Sequence, residues 1–67
     1  MNTEGVKVRI GIALDAAKDM GVITKDSTIE ELMSKEYDIL IYEFDYTEIL
    51  ILSDAVIEKV FTEWLKK

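Results

Sequence analysis

The stretch YDILIYEFDYTEILIL, residues 37 to 52, limits what this chain can become more than any other feature. Most of it is Ile, Leu, Tyr and Phe, its charges are all negative, and only its centre, Asp45-Tyr46, is polar enough to turn the chain. β-branched and aromatic side chains suit a pleated, half-buried surface, so DILIYEF and TEILILS read as the two strands of a β-hairpin. A two-residue turn would set Glu43 directly opposite Glu48, and like charges in that position repel, so a loop of about three to five residues is expected. The helical spacing of Ile39, Tyr42 and Tyr46 offers the rival reading, a pair of buried helical segments.

Such a hairpin would be apolar on both sides. Leu40, Tyr42 and Phe44 fall on one face of the first strand and Ile39 and Ile41 on the other, while Ile49 and Ile51 oppose Leu50 and Leu52 on the second. A half-exposed antiparallel sheet needs only one apolar face. Either the remaining helices wrap this sheet completely, or one face is covered by another chain.

The flanking segments supply those helices. In EGVKVRIGIALDAAKDMG, Val6, Ile10, Ala13, Leu14, Ala17 and Met20 follow helical spacing, with Lys7, Asp15 and Lys18 on the opposite side, so a helix is expected from Thr3 to Met20. Lys18 suits its C-terminal end and Gly21 the left-handed cap position. The alternation of Val6, Val8, Ile10 and Ile12 supports a strand over residues 6–12 instead. Ser27 followed by Glu30 forms a capping box ahead of a short helix, TIEELMSK, with Ile29, Leu32 and Met33 turned inward. Ser53 or Asp54 caps a final amphipathic helix, AVIEKVFTEWLKK, whose apolar stripe is Val56, Ile57, Val60, Phe61, Trp64 and Leu65. The expected architecture is a single α+β domain over residues 1–67, ordered helix, helix, β-hairpin, helix. The alternatives are βαββα, with a strand at 6–12, and an all-α four-helix fold.

With 67 residues the chain is one small domain, and its 49% hydrophobic content is too high for a disordered tail. It has neither cysteine nor histidine, which removes disulfides, the usual structural zinc sites and most acid/base chemistry near neutral pH. The start, MNTEG, lacks the basic and apolar regions of a signal peptide, and ILIL is far too short to span a membrane, so a cytoplasmic protein without membrane contact is expected. Charge is divided unevenly. Residues 1–25 carry four bases against three acids, whereas residues 26–63 carry eleven acids against Lys35 and Lys59. An acidic surface of that kind repels phosphate backbones and favours a basic partner.

No catalytic or cofactor motif emerges. Asp15 and Asp19 are one helical turn apart and Glu43, Asp45 and Glu48 cluster near the proposed turn, but they lack the ordered spacing of a calcium loop and read as solvated charge. Ser27, Ser34 and Ser53 have no histidine partner, and the three glycines are too widely separated for a phosphate loop. Trp64 belongs to the final helix's apolar stripe, which marks it as a core residue. No enzyme activity, metal or cofactor is expected.

The segment KDSTIEEL resembles the acyl carrier proteins, in which a serine after aspartate and before a helix carries phosphopantetheine. That resemblance would make Ser27 the modified residue, although Thr28 stands where that family has leucine and the preceding segment is too short. The helix, helix, hairpin order is similar to part of a winged-helix domain. That likeness implies nucleic-acid contact through Lys7, Arg9, Lys18 and Lys25, although the corresponding recognition helix and wing tip here are acidic. The reading adopted is a small acidic, non-catalytic interaction domain, a regulator, inhibitor or accessory subunit. It would bind a protein partner, or a second copy of itself, through Tyr42, Glu43, Phe44, Tyr46, Glu48, Ile49 and Ile51.

Overall fold

A computed structural model describes residues 3–67. Among them lie five helices and no strand: α1 Thr3–Asp19, α2 Ile29–Ser34, α3 Glu36–Leu40, α4 Tyr46–Ile51 and α5 Asp54–Leu65. The α+β expectation is therefore wrong, and with it both the hairpin and the βαββα alternative. Of the readings weighed, the all-α one gives the right class. It counts four helices where five occur, and the two segments of the ribbon, which the rival reading has as buried, leave Tyr42 and Tyr46 exposed.

In α1 the helical period prevails over the alternating one. Ile10, Ala13, Leu14 and Ala17 are buried, with Val6 packed against them, whereas Val8 and Ile12 face out. A strand at 6–12 would have put all four apolar residues on one side. The helix stops as its glycine suggests. Gly21 has φ of 79° and donates its N–H to the Lys18 carbonyl at 3.0 Å, and the Val22 N–H reaches back to Ala17 at 2.9 Å. These two bonds form a Schellman motif, which satisfies carbonyls that the helix end leaves open.

Cap assignment at α2 shifts by one residue. Thr28, not Ser27, accepts the N–H of Glu31 at 3.1 Å, while the Ser27 hydroxyl accepts the N–H of Thr24 and tightens the preceding turn. The helix then turns Leu32 inward, with Ile29 and Met33 half-buried against the core. Lys35 ends α2 and begins α3, since its N–H bonds to the carbonyls of Glu31 and Leu32.

The ribbon folds as α3, a turn and α4. Ile39, Leu40, Phe44 and Ile49 are buried, whereas Tyr37, Ile41, Tyr42, Tyr46, Leu50 and Ile51 are exposed. That division follows a wound chain, not a pleated one. The decisive local signal is Asp45-x-x-Glu48. The Asp45 carboxylate accepts the N–H of Glu48 at 2.8 Å and the Glu48 carboxylate accepts the N–H of Asp45 at 3.0 Å, a complete capping box. The residues expected to turn a hairpin thus begin a helix. Helical winding also satisfies the backbone locally, whereas a lone two-stranded hairpin leaves both edges open.

Ser53 precedes α5 without a side-chain cap bond, and Ile57, Val60, Phe61 and Trp64 form its buried stripe. α1 packs against α5 and α3, and α2 against the same two helices. The core between them is continuous, from Ile10 and Leu14 through Leu32, Ile39 and Leu40 to Ile57 and Phe61. The radius of gyration, 10.7 Å, matches the value of about 11 Å expected for a compact chain of this length. α4 belongs to none of the main helix pairs. Ile49 and a set of polar contacts to α1 hold it in place.

Candidate functional site

Arg9 is the hub of those contacts. From α1 it donates to the Glu48 carboxylate at 3.0 and 3.4 Å and to the Glu43 backbone carbonyl at 2.7 Å, and its Nε lies 3.8 Å from the Glu43 carboxylate. Its guanidinium carbon also sits 4.2 Å from the centre of the Phe44 ring. A planar cation with five donors suits this combination of paired oxygens and aromatic face. The charges respond to the geometry. Hydrogen bonding from Arg9, then from the Asp45 N–H, holds the Glu48 carboxyl below the usual range. The Glu48 N–H and the Thr47 hydroxyl do the same for Asp45, and the bond to Glu48 raises Arg9 further.

This arrangement redistributes the residues expected to form an interaction surface. Glu43 and Glu48 are half-buried and engaged with Arg9, while Phe44 lies buried beneath the guanidinium and Ile49 faces the core. Tyr42, Tyr46 and Ile51 remain exposed. The acidic trio Glu43, Asp45 and Glu48 surrounds an arginine and a helix start, and no group of potential ligands suited to a metal ion occurs among the described residues.

Sequence reasoning missed the neighbours of those exposed residues. Tyr37 and Tyr46 meet edge to face, with centroids 5.7 Å apart and planes at 69°, which joins the outer surfaces of α3 and α4. Ile41 lies one turn beyond Tyr37 and Leu50 one turn beyond Tyr46, and all four side chains are exposed. Leu50 is 65% exposed and Ile51, next to it, 72%. Exposed Asp38 and Asp45 flank the tyrosines in sequence. Close by in the chain, burial and then the charge of Asp54 push the Glu36 carboxyl up. Helical numbering within each segment separates Tyr37 and Ile41 from Ile39 and Leu40, and Tyr46 and Leu50 from Ile49, but the break between α3 and α4 hides that Tyr37 and Tyr46 adjoin.

The basic residues considered for nucleic-acid contact have internal partners or stand apart. Arg9 binds the α4 region. Lys25 lies 3.7 Å above the Trp64 ring and donates to that residue's carbonyl, and Lys7 pairs with Glu4 at 3.9 Å on the same helix. Lys18 is exposed. The wing that a winged-helix domain requires is absent among the described residues, since no strand occurs there. Ser27 is half-buried in the Thr24–Ser27 turn and does not cap α2. The likeness to acyl carrier proteins therefore loses its helix-start serine.

Comparison with family models, curated proteins and solved structures finds no match. No helix among the described residues is long and apolar enough to cross a membrane.

Proposed function

We propose that this chain is a small, non-catalytic interaction domain that binds a protein partner through the exposed strip of α3 and α4. The observation that carries the reading is the edge-to-face contact of Tyr37 and Tyr46 between two short helices, with Ile41 and Leu50 about one turn beyond them and, like Ile51, exposed. Isolated exposed apolar residues are ordinary, but a joined strip rimmed by charge is the form that interaction surfaces take. Tyrosine strengthens the case, since it offers apolar area and a polar tip at little cost in rotamer freedom.

Charge defines the partner's chemistry. The net charge is −6 and residues 26–54 hold nine acids against Lys35 alone. The Lys35 ammonium donates to the Val22 carbonyl. A complementary surface has an apolar centre and Lys or Arg around it. Encounter between two such surfaces is faster at low ionic strength.

The test compares proteins captured by the wild-type chain with those captured by Tyr46→Ser and Leu50→Asp. Both substitutions lie outside the core, so melting temperatures should stay close to wild type. A specific partner should be retained by the wild type, lost by both variants and weakened by salt. Capture that is identical for all three chains would refute the reading.

A further inference from the structure

Gly11 lies in the interior of α1, where glycine weakens a helix relative to alanine, yet among the described residues a Cβ added there would meet no atom within 4 Å beyond its own turn of helix. Among the described residues, no packed neighbour requires a glycine at this position. Val8 and Ile12 flank it, 61% and 48% exposed. With Asp15 they form one wall of an open groove of about 660 Å³, whose other wall is Val60, Glu63 and Trp64 of α5.

The charges along this face are antisymmetric about the glycine. Lys7 lies four residues before it and Asp15 four after, while Glu4 lies seven before and Lys18 seven after. Spacings of four and seven keep these residues on one side of the helix. In an antiparallel pair of α1 helices with a two-fold axis at Gly11, Lys7 of each copy faces Asp15 of the other, and Glu4 faces Lys18. Every pairing joins unlike charges. A parallel pair in register would set each charge against its own kind.

We infer that this face of α1 binds a second copy of the chain as a two-fold symmetric, antiparallel helix pair. Close backbone approach at Gly11 forms its centre, Val8 and Ile12 supply apolar contact, and the Lys7 and Asp15 pairs set its register. A two-fold interface must be self-complementary, and this charge pattern is. Asp15 already accepts the Trp64 indole N–H through Oδ1 at 2.9 Å, but a carboxylate has capacity for further donors. The surface is separate from the α3–α4 strip, so assembly through α1 leaves that strip exposed.

Sedimentation or light scattering over a concentration series tests the inference. The wild type should form dimers. Gly11→Leu should remain helical, because its side chain enters open space, and should become monomeric. Gly11→Ala should melt at a higher temperature yet dimerise more weakly. Glu4→Lys and Lys18→Glu, which leave the Asp15 bond to Trp64 intact, should each raise the dimer dissociation constant by about tenfold or more, because each creates two like-charge contacts across the axis. Mixing those two variants should restore a dimer of wild-type strength, since both cross-axis pairs are then unlike again. A wild type that stays monomeric to millimolar concentration would overturn the inference. So would a dimer that survives Gly11→Leu, a mixture that shows no recovery, or dissociation caused by Leu50→Asp instead.

Discussion

Arg9 gives the polar contacts of this fold their direction. Its donors reach a carboxylate and a backbone carbonyl on two sides of the turn before α4, and its flat face covers Phe44. A lysine would keep the charge and lose both the fork and the stacking. Arg9→Ala should therefore lower the melting temperature more than Lys7→Ala, whose ion pair with Glu4 is a surface contact within one helix. Arg9→Lys should recover only a minor part of the loss. Thermal unfolding followed by circular dichroism checks both statements, and full recovery by lysine would mean that charge alone matters there.

At the scale of elements, α4 depends most on ionisation. Asp45 and Glu48 have their carboxyl groups held below the usual range by the capping box and by Arg9. The stability they contribute is fully present above their unfolded values, about 4, and is lost as pH falls through the lowered folded values. Glu36 works in the opposite sense. Its carboxyl is raised by burial, so its ionisation opposes folding and acid relieves that opposition. Acidification below about pH 4 should therefore loosen α4 before α1 and α5. Amide protection measured by NMR should fall first at residues 46–51, and a uniform loss across the chain would contradict this.

The same element shows where sequence reading succeeded and where it failed. α1 and α5 were legible because their apolar residues recur every three or four positions over many turns, and Gly21 marked a boundary with one conformational requirement. The ribbon was not, because its composition favours strands while the spacing of its buried residues follows a helix. Isoleucine, tyrosine and phenylalanine favour strands only when a sheet is there to receive them. Asp45 and Glu48, three residues apart, carried the stronger instruction. A hairpin would make Glu43 and Glu48 repel, whereas in the fold both residues share one arginine. That long-range partner, 39 positions from Glu48, has no local signature. The interaction surface was half visible for the same reason: Tyr42, Tyr46 and Ile51 were named, but strand alternation grouped them with Phe44 and Ile49, which helical winding turns inward.

For the whole molecule, size sets the tolerance to damage. A domain of this length has on the order of 3–10 kcal/mol of stability. Phe61 is fully buried at the centre of the core, and truncation of such a residue costs about 3–5 kcal/mol. Phe61→Ala should remove about a third or more of that stability. Denaturant titration would show this as a large fall in the midpoint, whereas a shift of under 1 kcal/mol would mean that neighbouring side chains collapse into the space.

Trp64 lies where three distant parts of the chain meet: its indole N–H binds Asp15 of α1, Lys25 covers its ring, and the residue itself belongs to α5. It is the chain's single tryptophan. Its fluorescence is thus a built-in gauge of whether both ends of the polypeptide have closed on each other. Emission should move to longer wavelength as that junction opens to water, giving a direct optical record of folding without an added label.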